Sequence, residues 1–279
     1  MSKARSGAAP GAWLEDLTWP EAQKRFRAGA VVVVPIGARS KEHGHHLPLK
    51  TDYLLARELG RRVAAALPVV VAPVIDFGYY PAFINYPGSQ HLRAETFVAL
   101  VKDLIGNLID HGVTRIAIIN TGVSTEAPLR IVQRDILVEC KVRVACADIR
   151  GLGRATSNLM RQKLGGHGDE HETSMILAIE PGSVKMALAR PDYGNMLKAP
   201  QTVFVQPSTF GGNPDSGIDY SLTGVRGDPS LATVAKGRKI LDAMAGELVA
   251  GIRALFPEAF AAVKAAAGAA PRRRRGSKR

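Results

Sequence analysis

"GAVVVVPIGARSKEHGHHLPLKTD", Gly29 to Asp52, joins a run of apolar, β-branched residues to a loop crowded with titratable side chains. The run is short and continuous and is closed by Pro35 and Gly37, which suits a strand buried on both faces of a parallel sheet. The loop that follows carries Glu42, His43, His45, His46 and Asp52, and those are three of the chain's seven histidines. Imidazole and carboxylate together suit a divalent transition ion such as zinc or manganese. A polar turn with helix-capping residues is the alternative. Adjacent side chains on an extended segment point opposite ways, so Glu42 and His43 need a local turn, which Gly44 can supply, to face one ion.

Outward from this stretch the pattern repeats. "DYLLARELGRRVAAAL" from Asp52 has helical apolar spacing, with Thr51 as the expected N-cap. "PVVVAPV" (68–74) reads as a strand, and the Gly- and aromatic-rich loop 76–90 leads to a helix over 93–112 with Gly112 just past its end. A strand at 114–120, a helix at 126–140 and a strand at 141–148 follow. This βαβαβαβ order predicts an α/β fold, a parallel sheet with helices on both faces, whose ligands bind beyond the C-terminal strand ends. Further on, the spacing predicts helices near 171–180 and 231–255, separated by a Gly/Pro/Ser-rich loop from Lys198 to Asp228. We read one domain, 13–256, with frayed residues 1–12 and a basic, disordered tail at 265–279.

Composition narrows the function classes. The 46% hydrophobic content supplies an ordinary core, and no apolar window is long enough to span a membrane. The N-terminus lacks the apolar core of a secretion signal, so a cytoplasmic protein is expected. Cys140 and Cys146 are too few for a disulfide framework. The net charge is +12, but "PRRRRGSKR" at the C-terminus holds six basic residues and no acid. That tail is read as solvated, with polyanion or nucleic-acid binding through it as the alternative.

A second cluster, "GGHGDEHETS" (165–174), precedes helical apolar residues Met175, Ile176 and Ile179. Glu172 lies three residues before Met175, on the same helical face, and is read as a ligand or a base. The other reading is a helix N-terminus whose acids complement the dipole. A metal site needs three or four ligands from separate segments, so two such clusters support each other.

These residues resemble the creatininase (creatinine amidohydrolase) family. The likeness lies in "VVVVPIGARSKEHGHHLPLKTD", "FINYPGS", "HGDEHETSMIL" and "TGVRGDPSLAT", and extends from "LEDLTWPEA" to about Leu255. It implies a three-layer α/β/α sandwich with a mainly parallel sheet, a zinc or manganese centre of one or two ions, and hydrolysis of a small cyclic or formamide-type amide. It also implies a homo-oligomer, often a hexamer. Carried over residue by residue, His43, Asp52 and Glu172 are metal ligands, Glu42 is a ligand if one residue is inserted before His43, and His167 is the catalytic acid/base or polarising group.

The chain departs from the pattern at two positions. Lys41 stands where the motif has a glutamate, and Gly122, in "NTGVSTEAPL", stands where the family has a histidine ligand. His45, His46 or Glu126 could rebuild the loss. A family member with a degenerate metal site, surviving as a binding or scaffold protein, is the rival reading. Tyr79, Tyr80, Phe83 and Tyr86 are expected to line the pocket or pack in a subunit interface. A nucleotide-binding enzyme ranks last, because no phosphate-binding glycine motif follows any predicted strand.

Overall fold

A computed structural model describes residues 10–194, Val203 and 221–261. The basic tail and most of the loop 198–228 lie outside the described residues. Five parallel strands, β1 (Ala12–Trp13), β2 (Val32–Ile36), β3 (Val70–Val71), β4 (Ile116–Asn120) and β5 (Val144–Asp148), form one sheet in the order β1-β3-β2-β4-β5. Among the described residues six α-helices accompany them: α1 (Trp19–Arg27), α2 (Thr51–Ala66), α3 (Ala94–Asp110), α4 (Glu126–Cys140), α5 (Glu170–Ile179) and α6 (Val234–Leu255).

The period-2 geometry of a strand explains the apolar run. Val32, Val34 and Ile36 pack with Phe26 of α1, Phe97, Val101 and Ile105 of α3 and Leu129, Val132 and Ile136 of α4. Val31 and Val33 turn the other way, onto Leu55 and Leu59 of α2, Met175 and Ile176 of α5 and Ile240 and Met244 of α6. A β2 buried on both sides therefore has no polar position to spare, and each of its valines contributes about 2 kcal/mol of burial. The result is the three-layer α/β/α sandwich.

The elements that begin and end the chain's fold differ from expectation. Ala12 donates its N–H to the Val69 carbonyl at 3.0 Å, so this one residue of the segment expected to fray joins Trp13 in the edge strand beside β3. A two-residue strand carries no periodicity to read. Helix α2 starts at Thr51 itself, with Lys50 in the cap position, and the Thr51 hydroxyl donates back to the Pro48 carbonyl at 2.7 Å. Gly112 ends α3 at φ 85°, and its N–H donates to the Ile109 carbonyl at 2.8 Å. At the far end, Ala259 and Phe260 pack on the second core beside Phe256, past the expected boundary at 256.

The strand order places the site. From β2 the chain moves outward to β3 and then returns to the opposite side of β2 as β4, so the strand ends of β2 and β4 diverge at a switch point. The crevice is tightly closed at its base. Thr121, just past β4, donates its N–H to the Ile36 carbonyl at 3.0 Å and its hydroxyl to the Asp52 carbonyl at 2.8 Å. Gly37 is required there, since a Cβ would lie 2.2 Å from the Asp52 carbonyl oxygen. On the other layer, α6 crosses α5 at Gly237, where a Cβ would lie 1.8 Å from the Ser174 carbonyl oxygen.

Candidate metal centre

The loop after β2 delivers Lys41, Glu42 and His43 into the crevice, all buried, and α2 delivers Asp52 from its first turn. Asp52 is the hub. Its Oδ1 lies 2.9 Å from His43 Nε2, and its Oδ2 accepts from the Lys41 ammonium at 2.7 Å. Burial alone would raise the Asp52 carboxyl, but Lys41 and then His43 outweigh it and hold it well below the usual carboxylate range. Lys41 Nζ also sits 4.9 Å from the centre of the Phe83 ring.

The second cluster meets the first from the α5 side. Arg226 and His167 pair their backbones, with the Arg226 N–H donating to the His167 carbonyl at 2.7 Å. Gly168, at φ 54°, lets this loop touch the first, because a Cβ there would come within 2.8 Å of the His43 carbonyl oxygen. The His43 and His167 rings consequently lie 4.6 Å apart, and Phe83 covers His167 at 4.5 Å. His167 Nε2 contacts Glu42 Oε1 at 2.7 Å, while Nδ1 is 3.9 Å from Glu172 Oε2. Burial would lower the His167 pKa, but the Glu42 carboxylate overrides it and the net shift is upward. The Gly168 N–H donates to Glu172 Oε2 at 2.6 Å and orients that carboxylate.

The acids around Glu172 do structural work, as the helix-terminus reading of this cluster has it. Asp169 caps α5 by accepting from the N–H groups of His171 and Glu172 at 2.9 and 3.0 Å. Glu170 accepts from the N–H groups of Arg161 and Gln162 and pairs with Lys236. Neither faces the crevice donors. Among the described residues one group can hold an ion: a donor atom from each of His43, His167 and Glu172 lies within 4.8 Å of the others.

The far nitrogens of both rings support that use. His43 Nδ1 lies 2.9 Å from the Lys41 carbonyl oxygen, and a proton donated there leaves Nε2 as a lone pair facing Asp52 Oδ1. Two acceptors 2.9 Å apart need a proton or a cation between or beside them. His167 is arranged in the same way, with Nε2 committed to Glu42 and Nδ1 turned towards Glu172. A carbonyl or carboxylate behind each ring is the arrangement that fixes metal-ligating histidines.

Comparison with known proteins identifies the family. The family model described as creatinine amidohydrolase matches residues 15–252. The chain belongs to the creatininase family. Curated relatives include the creatinine amidohydrolase of Pseudomonas putida, 28% identical over 266 residues that cover 87% of this chain and 96% of the relative. The mycofactocin precursor peptide peptidase of Mycobacterium tuberculosis is 28% identical over 240 residues, covering 81% and 86%. Among solved structures, a mutant creatininase of Zn-Zn type superposes with a TM-score of 0.76 at 25% identity, covering 88% of this chain and 98% of that one. A creatininase titled with Mn has a TM-score of 0.74 at 24% identity, covering 88% and 98%.

Among the described residues, the candidate donors nearest Asp52 lie on its Oδ1 side. The residues at His43, His167 and Glu172 fit a divalent ion. On the Oδ2 side stand Lys41 and Gly122, and neither offers an electron pair to a cation. The candidates for rebuilding that side are elsewhere. His45 faces solvent, Glu126 is paired with Arg150, and buried His46 holds Thr173 Oγ1 at 2.7 Å through Nε2. Burial and then neighbouring His43 push His46 down to about 4, which keeps it neutral.

The aromatic residues divide by role. Tyr80 is buried and donates its hydroxyl to the Ser40 carbonyl at 3.1 Å, and Tyr86 donates to the Ser221 carbonyl at 2.6 Å, so both brace the loop. Tyr79 and Tyr80 line the crevice with Lys41, Asp52, Asn120 and Gly122. A much larger apolar cavity of about 1150 Å³, between α1, α3 and the loop after β3, includes none of the candidate donors in its lining and plays no part in this chemistry. Lys41 is the residue that sequence reasoning left out of the site. Its only signal was its place in a motif that carries a glutamate there.

Proposed function

We infer that the protein is a metal-dependent hydrolase of a small amide, acting on a carbon–nitrogen bond of the cyclic or formamide type. A single divalent ion, zinc or manganese, is held by His43, His167 and Glu172, with Asp52 beside His43. The observation that supports this reading is the convergence of three donor atoms from two loops and the first turn of α5, each ring backed by an oxygen on its far side. When bound, such an ion supplies Lewis acidity for an amide carbonyl and an acidified water as nucleophile.

The chain's own residues do the rest. The Lys41 carbonyl fixes His43, and Glu42 holds the proton on His167 Nε2. That leaves His167 Nδ1, on the Glu172 side, as the atom that would face the ion. Phe83 and the buried loop exclude water from the rings, which strengthens every charge interaction among them. Glu42 and Glu172 thus bracket one imidazole from both nitrogens.

The relatives' names cover a cyclic amide and a peptide, so the proposal commits to the bond class. Cytoplasmic residence goes with it, supported by two free thiols, of which Cys146 is pushed up in pKa by burial and then by Asp148. Assembly as a homo-oligomer, a hexamer by family likeness, belongs to the same proposal and is read by sedimentation. The rival reading, a binding protein without catalysis, is favoured by the Lys41–Asp52 pair. Elemental analysis of the full chain beside His43→Ala decides between them. The expected result is one ion per chain, absent in the variant, with hydrolysis in a screen of cyclic amides, formamides and short peptides. No ion after incubation with zinc or manganese contradicts the proposal.

A further inference from the structure

We propose that the Lys41 ammonium is a built-in cation that takes the position of a second metal ion beside Asp52 and so limits the centre to one ion. The inference rests on the single-ion reading above and deepens it. Lys41 Nζ is 2.7 Å from Asp52 Oδ2, and both side chains are buried, at 7% and 1% exposure. A carboxylate oxygen so occupied is closed to another cation unless the ammonium leaves.

The surroundings lack what an ion would need. The free space in the crevice lined by Lys41, Asp52, Asn120 and Gly122 is about 10 Å³, the lower limit for one water. The strand end of β4 turns its polar groups on itself: Asn120 Oδ1 accepts from the Gly122 N–H at 3.1 Å and from the Thr125 hydroxyl at 2.7 Å. Asn120 Nδ2 donates to the Gly122 carbonyl and to Asp148 Oδ1, both at 2.9 Å. These groups are satisfied without a cation. Lys41 thus neutralises Asp52 on the side that has no donors, while His43 faces it on the side that has them.

Two positions would reopen the second place. A Cβ on Gly122 would lie 3.9 Å from Asp52 Oδ2 and 3.0 Å from Thr125 Oγ1, so a side chain there reaches the carboxylate with a small shift of Thr125. Its backbone, at φ −107° and ψ 121°, accepts any residue. Replacing Lys41 by Glu exchanges the cation for a donor of similar reach.

The test is zinc stoichiometry, by elemental analysis after dialysis, of the full chain and of the double variant Lys41→Glu, Gly122→His. One ion in the parent and two in the variant is the expected result. One ion in both overturns the inference and leaves the single-ion reading standing, and two in the parent overturns both. None in the parent with one gained in the variant upholds the block by Lys41 and defeats the single-ion reading. None in either defeats both. Should the double variant not fold, Lys41→Met gives a second readout. Its melting temperature should rise more on zinc addition than the parent's, because Asp52 is released to a cation, and an equal rise overturns the inference.

Discussion

The two strand ends that flank the crevice are chemically unlike. After β2 comes a loop of buried titratable groups, Lys41, Glu42, His43 and His46, each placed against an oppositely charged or polar partner from elsewhere in the chain or, for His43, against two acceptors. At the end of β4 stands a neutral group, Asn120, Thr121, Gly122 and Thr125, whose polar atoms are satisfied among themselves and by Ile36, Asp52 and Asp148. Asp52 stands between them with one oxygen towards each kind of neighbour, Oδ1 to a ligand-type imidazole and Oδ2 to a lysine. The difference teaches that one fold can place the groups able to hold an ion on one lip of the switch point and leave the other lip neutral.

Substitutions on the two lips should therefore have unequal effects. The largest is expected for His43→Ala, which removes a donor and the partner of Asp52 Oδ1: the ion is lost and amide hydrolysis falls by about 10³-fold or more, several kcal/mol of transition-state stabilisation. Metal analysis and kcat/KM on the same preparation check both parts.

Next in size is a pH effect at His46. Its folded pKa of about 4 is depressed below the ordinary 6.5, so the stability held by its neutral form is fully present above 6.5. That stability is lost as pH falls from 6.5 through about 4, by up to about 3 kcal/mol. Denaturant unfolding at pH 7 and pH 4.5 should show a smaller loss for His46→Gln than for the parent, and parallel curves would remove His46 from the account.

Glu42→Gln keeps the shape behind His167 but removes the carboxylate that fixes its Nε2 proton, and is expected to weaken zinc affinity by about 10- to 100-fold in a competition titration. The smallest effect belongs to the other lip. Asn120→Ala unpairs the Gly122 N–H and takes a donor from Asp148, while the Thr125 hydroxyl keeps the Gly122 carbonyl, and should cost about 1–2 kcal/mol in chemical denaturation, with the ion count unchanged. A lost ion in this variant would erase the contrast between the lips.

Much of this was legible in the sequence for physical reasons. A strand buried on both faces has to be continuously apolar, so 29–38 announced β2, and the alternation of helix and strand announced the parallel sheet and the place of the crevice. The motif from Ser40 to Asp52 named the residues that meet there. Three things were not legible. The edge strand Ala12–Trp13 is too short for a period, and its pairing with β3 is a long-range fact. Asp169 and Glu170 look in sequence like further ligands, whereas one caps α5 and the other is saturated by Arg161, Gln162 and Lys236. Lys41 stands out in the sequence only as a departure from a motif glutamate, and its pairing follows from the first turn of α2, which brings Asp52 within 2.7 Å of it.

The most direct measurement is anomalous X-ray diffraction at the zinc edge from crystals of the full chain soaked in zinc. The account predicts one peak, among His43, His167 and Glu172, with Lys41 still on Asp52. A peak between Asp52 and Gly122, or no peak at the donor group, would contradict it.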